Sequence, residues 1–157
     1  MAEGLKPGDR APPFEGIAHT GGKVRLEDFK GQPVILYFYP RAMTPGCTRE
    51  AQRFEELYEK FKEYNAVVIG VSTDTPERNK RFAEKLGIKN VILVGDPEAR
   101  IVDLYGVRKK GVKRPSAERV TFIIDGDQVI REVLRNVKPA EKHVDLALET
   151  LKRISTG

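Results

Sequence analysis

Val34-Ile35-Leu36-Tyr37-Phe38-Tyr39-Pro40-Arg41-Ala42-Met43-Thr44-Pro45-Gly46-Cys47-Thr48-Arg49-Glu50 joins an unbroken apolar run to the start of a helical pattern, with the only cysteine of the sequence near the join. Val34 to Tyr39 is rich in β-branched and aromatic residues without polar alternation, which marks a strand covered on both faces. Beyond the loop, Ala51, Phe54, Leu57, Tyr58 and Phe61 recur at helical spacing, while Glu55, Glu56, Lys60 and Lys62 face elsewhere. A buried strand running into an amphipathic helix is half of a parallel βα unit. Such sheets bind ligands beyond the carboxyl ends of their strands, where the segment Pro40 to Cys47 falls.

The rest of the chain repeats this grammar. Phe14 to His19 and Lys23 to Arg25 flank Gly21-Gly22 and read as a small hairpin. Val67 to Val71 and Val91 to Val94 read as further buried strands. Between them a helix opens at Thr75-Pro76, has Phe82 and Leu86 among its apolar positions, and ends at Gly87. Pro97 to Tyr105 reads as a short helix. Val120 to Ile124 and Val129 to Leu134 form a hairpin around Asp125-Gly126, and Pro139 to Ile154 forms a closing helix with Val144, Leu148 and Leu151 on one face. The alternation predicts an α/β fold whose parallel core becomes a mixed sheet through the late hairpin.

With 157 residues and neither repeats nor linkers, residues 1–157 are expected to form one domain. The composition, 39% hydrophobic and 32% charged, is that of a globular chain rather than a disordered or membrane-embedded one. No apolar run is long enough to cross a bilayer, and the opening Met1-Ala2-Glu3-Gly4-Leu5-Lys6 has no apolar signal core, so a cytoplasmic location is expected. The net charge of +5 does not point to nucleic acid, because basic and acidic residues are interleaved. The densest basic cluster, Arg108-Lys109-Lys110-Gly111-Val112-Lys113-Arg114, lacks aromatics for base stacking and reads as a solvated loop lending local positive potential.

Thr44 suits an N-cap and Pro45 the first helical position, which puts Cys47 in the first turn. Unpaired backbone N–H groups and the positive end of the helix dipole favour a thiolate there. A lone cysteine is usually a small, inert, buried hydrophobe. A place beyond a strand end, flanked by Pro, Gly and Thr, argues for a nucleophile instead. One cysteine with His19 and His143 far apart gives no metal-ligand spacing, and neither histidine has the local context of a general base; both read as surface residues. A Cys-x-x-Cys dithiol is absent.

Pro40-x-x-x-Thr44-x-x-Cys47 resembles the active-site motif of the peroxiredoxins, and Tyr39 to Glu50 is similar to the bacterioferritin-comigratory-protein, or PrxQ, branch. Lys6 to Pro12, Gly70 to Asp74 and Arg119 to Asp125 extend the resemblance along nearly the whole chain. It implies a thioredoxin-like fold with a central mixed sheet flanked by helices, and reduction of hydrogen peroxide and alkyl hydroperoxides without a cofactor or metal. By the same resemblance Cys47 is the peroxidatic nucleophile, Thr44 hydrogen-bonds the peroxide oxygens, Pro40 packs over the sulfur, and Arg119 stabilises the thiolate and the developing charge. Gly46 and Cys47 offer backbone N–H groups to that charge, and Glu50 can hold Arg119 in place.

Members of this branch often carry a resolving cysteine five residues after the peroxidatic one; here that position is Gln52. The expected cycle therefore uses one cysteine, with an external thiol, a thioredoxin-like protein or a small thiol, reducing the sulfenic acid of Cys47 in a monomer or homodimer. A peroxide-responsive redox sensor or thiol-linked binding module on the same fold is the second reading. A glutathione-peroxidase-like site is weaker, because that family's site includes a tryptophan and this sequence has none.

Overall fold

The structure, a computed structural model, describes residues 4–156; Met1 to Glu3, read above as part of a start without a signal core, lie outside the described residues. The strands are β1 (Glu15–Ala18), β2 (Lys23–Arg25), β3 (Val34–Phe38), β4 (Val67–Ser72), β5 (Ile92–Gly95), β6 (Val120–Ile124) and β7 (Ile130–Leu134). The helices are α1 (Pro45–Glu56), α2 (Tyr58–Lys62), α3 (Pro76–Leu86), α4 (Arg100–Leu104) and α5 (Lys142–Thr156). All seven strands form one sheet in the order β2-β1-β5-β4-β3-β6-β7. β3, β4 and β5 are parallel, and β1, β6 and β7 join antiparallel, so the sheet is mixed as expected. The N-terminal hairpin is also present, and it extends the sheet by pairing β1 with β5.

The unbroken apolar run of β3 is explained by cover on both sides. Val34, Leu36 and Phe38 face one core with Phe14, Val102, Tyr105 and Phe122. Ile35 and Tyr37 face the other, with Phe54 of α1, Phe61 of α2, Phe82 of α3 and Leu151 of α5. Tyr37 stacks on Phe54 with ring centroids 4.4 Å apart, which fixes the last turn of α1 against β3. No helix of the described residues is long and apolar enough to cross a membrane.

Several boundaries differ from the sequence reading for local reasons. The pattern Ala51–Phe61 is two helices, not one, broken at Leu57 (φ −95, ψ 10), although Phe54 and Phe61 still share one core. α4 begins at Arg100 rather than Pro97, because Ala99 is left-handed (φ 57) and the Asp96 carboxylate caps the N–H groups of Arg100 and Val102. Before α5, Lys142, His143 and Val144 donate to Pro139, Ala140 and Glu141, so residues 139–141 form tight turns instead of helix. In the β6–β7 hairpin the left-handed residue is Gln128 (φ 63), and Asp125 Oδ1 accepts from the Asp127 and Val129 N–H groups. At α3, Thr75 caps through its side chain and Gly87 ends the helix in the left-handed region (φ 71), as the sequence indicates.

Candidate active site

The sheet register decides what can meet Cys47. β6 runs antiparallel to β3 with Val120 opposite Phe38, so the residue entering β6 stands beside the residue leaving β3. Arg119 therefore arrives at the strand end from which the Cys47 loop departs. Its Nη2 donates to Cys47 Sγ at 3.4 Å and its Nη1 to Glu50 Oε1 at 2.6 Å. One planar guanidinium thus bridges the sulfur and a carboxyl one helical turn later. Its side chain is only 21% exposed and is not the strand-edge surface charge its sequence neighbourhood alone describes.

Gly46 makes this approach possible. A Cβ there would lie 3.1 Å from Arg119 Nη2 and 3.7 Å from Ala140 Cβ, so the guanidinium occupies the space a side chain would take. Cys47 is 1% exposed and belongs to the helix-side core with Ala51 and Phe54. Glu50 is fully buried, and its Oε2 has no hydrogen-bond partner among the described residues. Burial pushes the Glu50 carboxyl up to about 8, against the pull of Arg119. The guanidinium therefore spans Glu50 and Cys47 at once, one arm on each.

Thr44 stands at the N-cap of α1, but it does not cap through its side chain. Its Oγ1 donates to the Arg41 carbonyl at 2.8 Å, which commits the hydroxyl proton and leaves the oxygen's lone pairs available. Pro40 lines a cavity of about 540 Å³ with Arg119, Val120 and Val137, and a second cavity on its other side with Arg41 and Ser116. The expected residues Pro40, Thr44, Gly46, Cys47, Glu50 and Arg119 are therefore gathered at one end of the sheet.

Other residues at the site escaped the sequence reading. Asp74 Oδ2 accepts from the Ala42 N–H at 2.8 Å and from Ser72 Oγ at 2.7 Å, while Arg78 donates to the Ala42 carbonyl and pairs with Asp74. From the other side Ser116 Oγ donates to the Pro40 carbonyl at 3.1 Å. These bonds hold the loop in a shape that includes a left-handed Met43 (φ 69). The signal for Asp74 was its place just past β4, the counterpart of Cys47's place past β3.

The surface placement of the two histidines is corrected. His143 is fully buried, and its Nδ1 meets Thr121 Oγ1 at 2.9 Å, because α5 turns that face onto β6. Burial, and then the Arg119 cation, hold its pKa down to about 4. His19 is half-buried and its Nδ1 accepts from the Leu93 N–H at 3.1 Å.

Residues 7–133 match the AhpC/TSA family. The chain belongs to the AhpC/TSA family. It is 41% identical over 154 residues to peroxiredoxin Bcp of Bacillus subtilis, an alignment covering 96% of this chain and 98% of that one. Peroxiredoxin Bcp of Escherichia coli is 39% identical over 152 residues, covering 94% and 96%. Among solved structures, peroxidoxin BcpB of Mycobacterium tuberculosis superposes with a TM-score of 0.89 at 36% identity, covering 96% of this chain and 98% of that one. The bacterioferritin comigratory protein of Xanthomonas campestris, described for its alkyl peroxide reduction activity, gives 0.83 at 28% identity, covering 90% and 92%. The fold is the thioredoxin-like fold of these peroxiredoxins, and the single cysteine fits a one-cysteine mechanism.

Proposed function

We propose that residues 1–157 work as one domain and in the cytoplasm as a thiol-dependent peroxidase, with Cys47 as its peroxidatic sulfur. The observation that carries this reading is the Arg119 guanidinium, held by Glu50 and aimed at Cys47 Sγ. In the reaction the sulfur attacks the terminal peroxide oxygen, the O–O bond breaks, and Cys47 becomes a sulfenic acid. The departing oxygen takes the proton that the thiol gave up and leaves as water or an alcohol.

Arg119 and the N–H groups of Gly46 and Cys47 are preorganised donors for the charge that develops on those oxygens. Thr44 Oγ1, its own proton committed to Arg41, accepts from the peroxide O–H and orients it. Pro40 walls the entrance. Because Gln52 stands where a resolving cysteine would be and no other cysteine exists in the sequence, an external thiol completes the cycle.

The test is Cys47→Ser with peroxide consumption and dimedone trapping. Turnover and the sulfenate adduct should both vanish. Substantial peroxide reduction by the variant, or no adduct on the wild-type chain after one equivalent of peroxide, would refute the assignment.

A further inference from the structure

The second half of the cycle requires a thiol to reach a sulfur that is 1% exposed. The cavity at Gln52 does not lead there. Neither Cys47 nor Arg119 lines it, and its arginines are already paired, Arg49 with Glu141 and Arg53 with Asp145. The cavity of about 540 Å³ beside Pro40 borders the site instead: Cys47 is not in its wall, but Arg119, whose Nη2 lies 3.4 Å from the sulfur, is. That volume suits a ligand of peptide-fragment size.

Its charge is one-sided. Lys109, Arg119, Arg135 and Lys138 line it against a single carboxylate, Glu118, which lies 4.0 Å from Arg135. Lys109 and Lys138 have no carboxylate partner among the described residues. Val120, Val137 and Ala140 give the cavity an apolar wall. Lys109 is anchored, although it belongs to the basic loop 108–114. Its N–H donates to the Ser116 carbonyl at 2.8 Å, and Glu118 N–H donates to Val107 at 2.7 Å, next to the Ser116 that holds Pro40.

Resting on the peroxidase reading above, we propose that this cavity is the reductant site, and that it takes a low-molecular-weight thiol bearing a carboxylate, which Lys109 and Lys138 hold. The positive lining concentrates such a ligand and favours its thiolate form. The thiolate sulfur attacks Cys47 Sγ and the S–O bond breaks. The departing hydroxide takes a proton to become water, leaving a mixed disulfide. A second equivalent of the thiol then attacks the outer sulfur, releasing Cys47 as a thiolate and the reductant as its disulfide. Two thiols are oxidised as one sulfenic acid is reduced.

The test oxidises the protein with one equivalent of peroxide, then measures sulfenate loss by stopped flow with mercaptopropionate, glutathione and neutral mercaptoethanol, each corrected for its thiolate fraction. The carboxylate-bearing thiols should react ~10-fold or more faster than mercaptoethanol at low salt, the advantage falling as salt screens the cations. In Lys109→Glu/Lys138→Glu, and more weakly in Lys109→Gln/Lys138→Gln, that ratio should collapse towards unity. A ratio near unity in the wild type, or one unchanged by charge reversal, overturns the proposal while leaving the peroxidase standing. So does rapid reduction by a thioredoxin-type protein where these small thiols fail, or charge reversal that slows only oxidation by a carboxylate-bearing hydroperoxide. Absence of any sulfenate overturns both readings.

Discussion

Gly46→Ala separates catalysis from stability at a single methyl group. The added Cβ would stand 3.1 Å from Arg119 Nη2, about 0.3 Å inside ordinary contact distance. The guanidinium cannot slide away as a unit, because Nη1 is held at 2.6 Å by the buried Glu50. It must pivot, and the arm that moves is the one 3.4 Å from Cys47 Sγ. Complete loss of a preorganised donor costs ~10²–10³ in rate, and small misplacements cost a fraction of that, so we expect Cys47 oxidation by peroxide to slow ~10-fold. Stability should move little, because alanine's better helix propensity, at most about 1 kcal/mol, is offset by the displacement of the buried guanidinium. Stopped-flow oxidation and thermal unfolding on the same sample read both effects. A folded variant oxidised at the wild-type rate would refute the claim that Gly46 is there to admit Arg119.

Other consequences concern the same end of the sheet. Arg119→Ala should slow sulfenic acid formation by about 2.7–4 kcal/mol of barrier, measured with dimedone under single turnover; unchanged kinetics would remove Arg119 from the site. His143 is kept neutral, so its contribution to stability is complete above its unfolded pKa of 6.5 and is lost as pH falls towards about 4. That is roughly 3 kcal/mol, seen as the difference in pH-dependent unfolding between wild type and His143→Gln. Glu50 has the opposite sign: its raised pKa stabilises the fold at low pH, and that stability fades as pH climbs from 4.5 to about 8. Glu50→Gln should flatten the alkaline side of the stability profile, and an unaltered slope there would contradict a raised Glu50 pKa. Asp74→Ala leaves the Ala42 N–H without its acceptor and should cost about 1–3 kcal/mol in denaturant unfolding, with slower peroxide reaction as the loop loosens.

The β3 strand, the α1 helix and the sulfur between them are legible because periodicity and punctuation are local properties. A run covered on both faces does not alternate, and proline and glycine mark where the backbone changes. Arg119 is different. It lies 72 residues from Cys47 and meets it only through the β3–β6 register, which nothing near Arg119 announces, so family resemblance alone pointed to it. Thr44 has the right residue type for a cap, yet its hydroxyl bonds backwards to Arg41, a choice set by loop shape rather than composition. His143 was within reach of pattern reading. Spaced four and eight residues from Ala147 and Leu151, it lies on the buried face of α5, but its charged neighbours Glu141 and Lys142 disguised it.

The register also sets a timetable. A chain grows from its amino end, so the sulfur is made 72 residues before the guanidinium that faces it. Through that interval Cys47 sits on an unfinished polypeptide without its Arg119 donor. The reactive centre comes into being only when β6 closes against β3, so the chemistry is withheld until most of the protein has been made and folded.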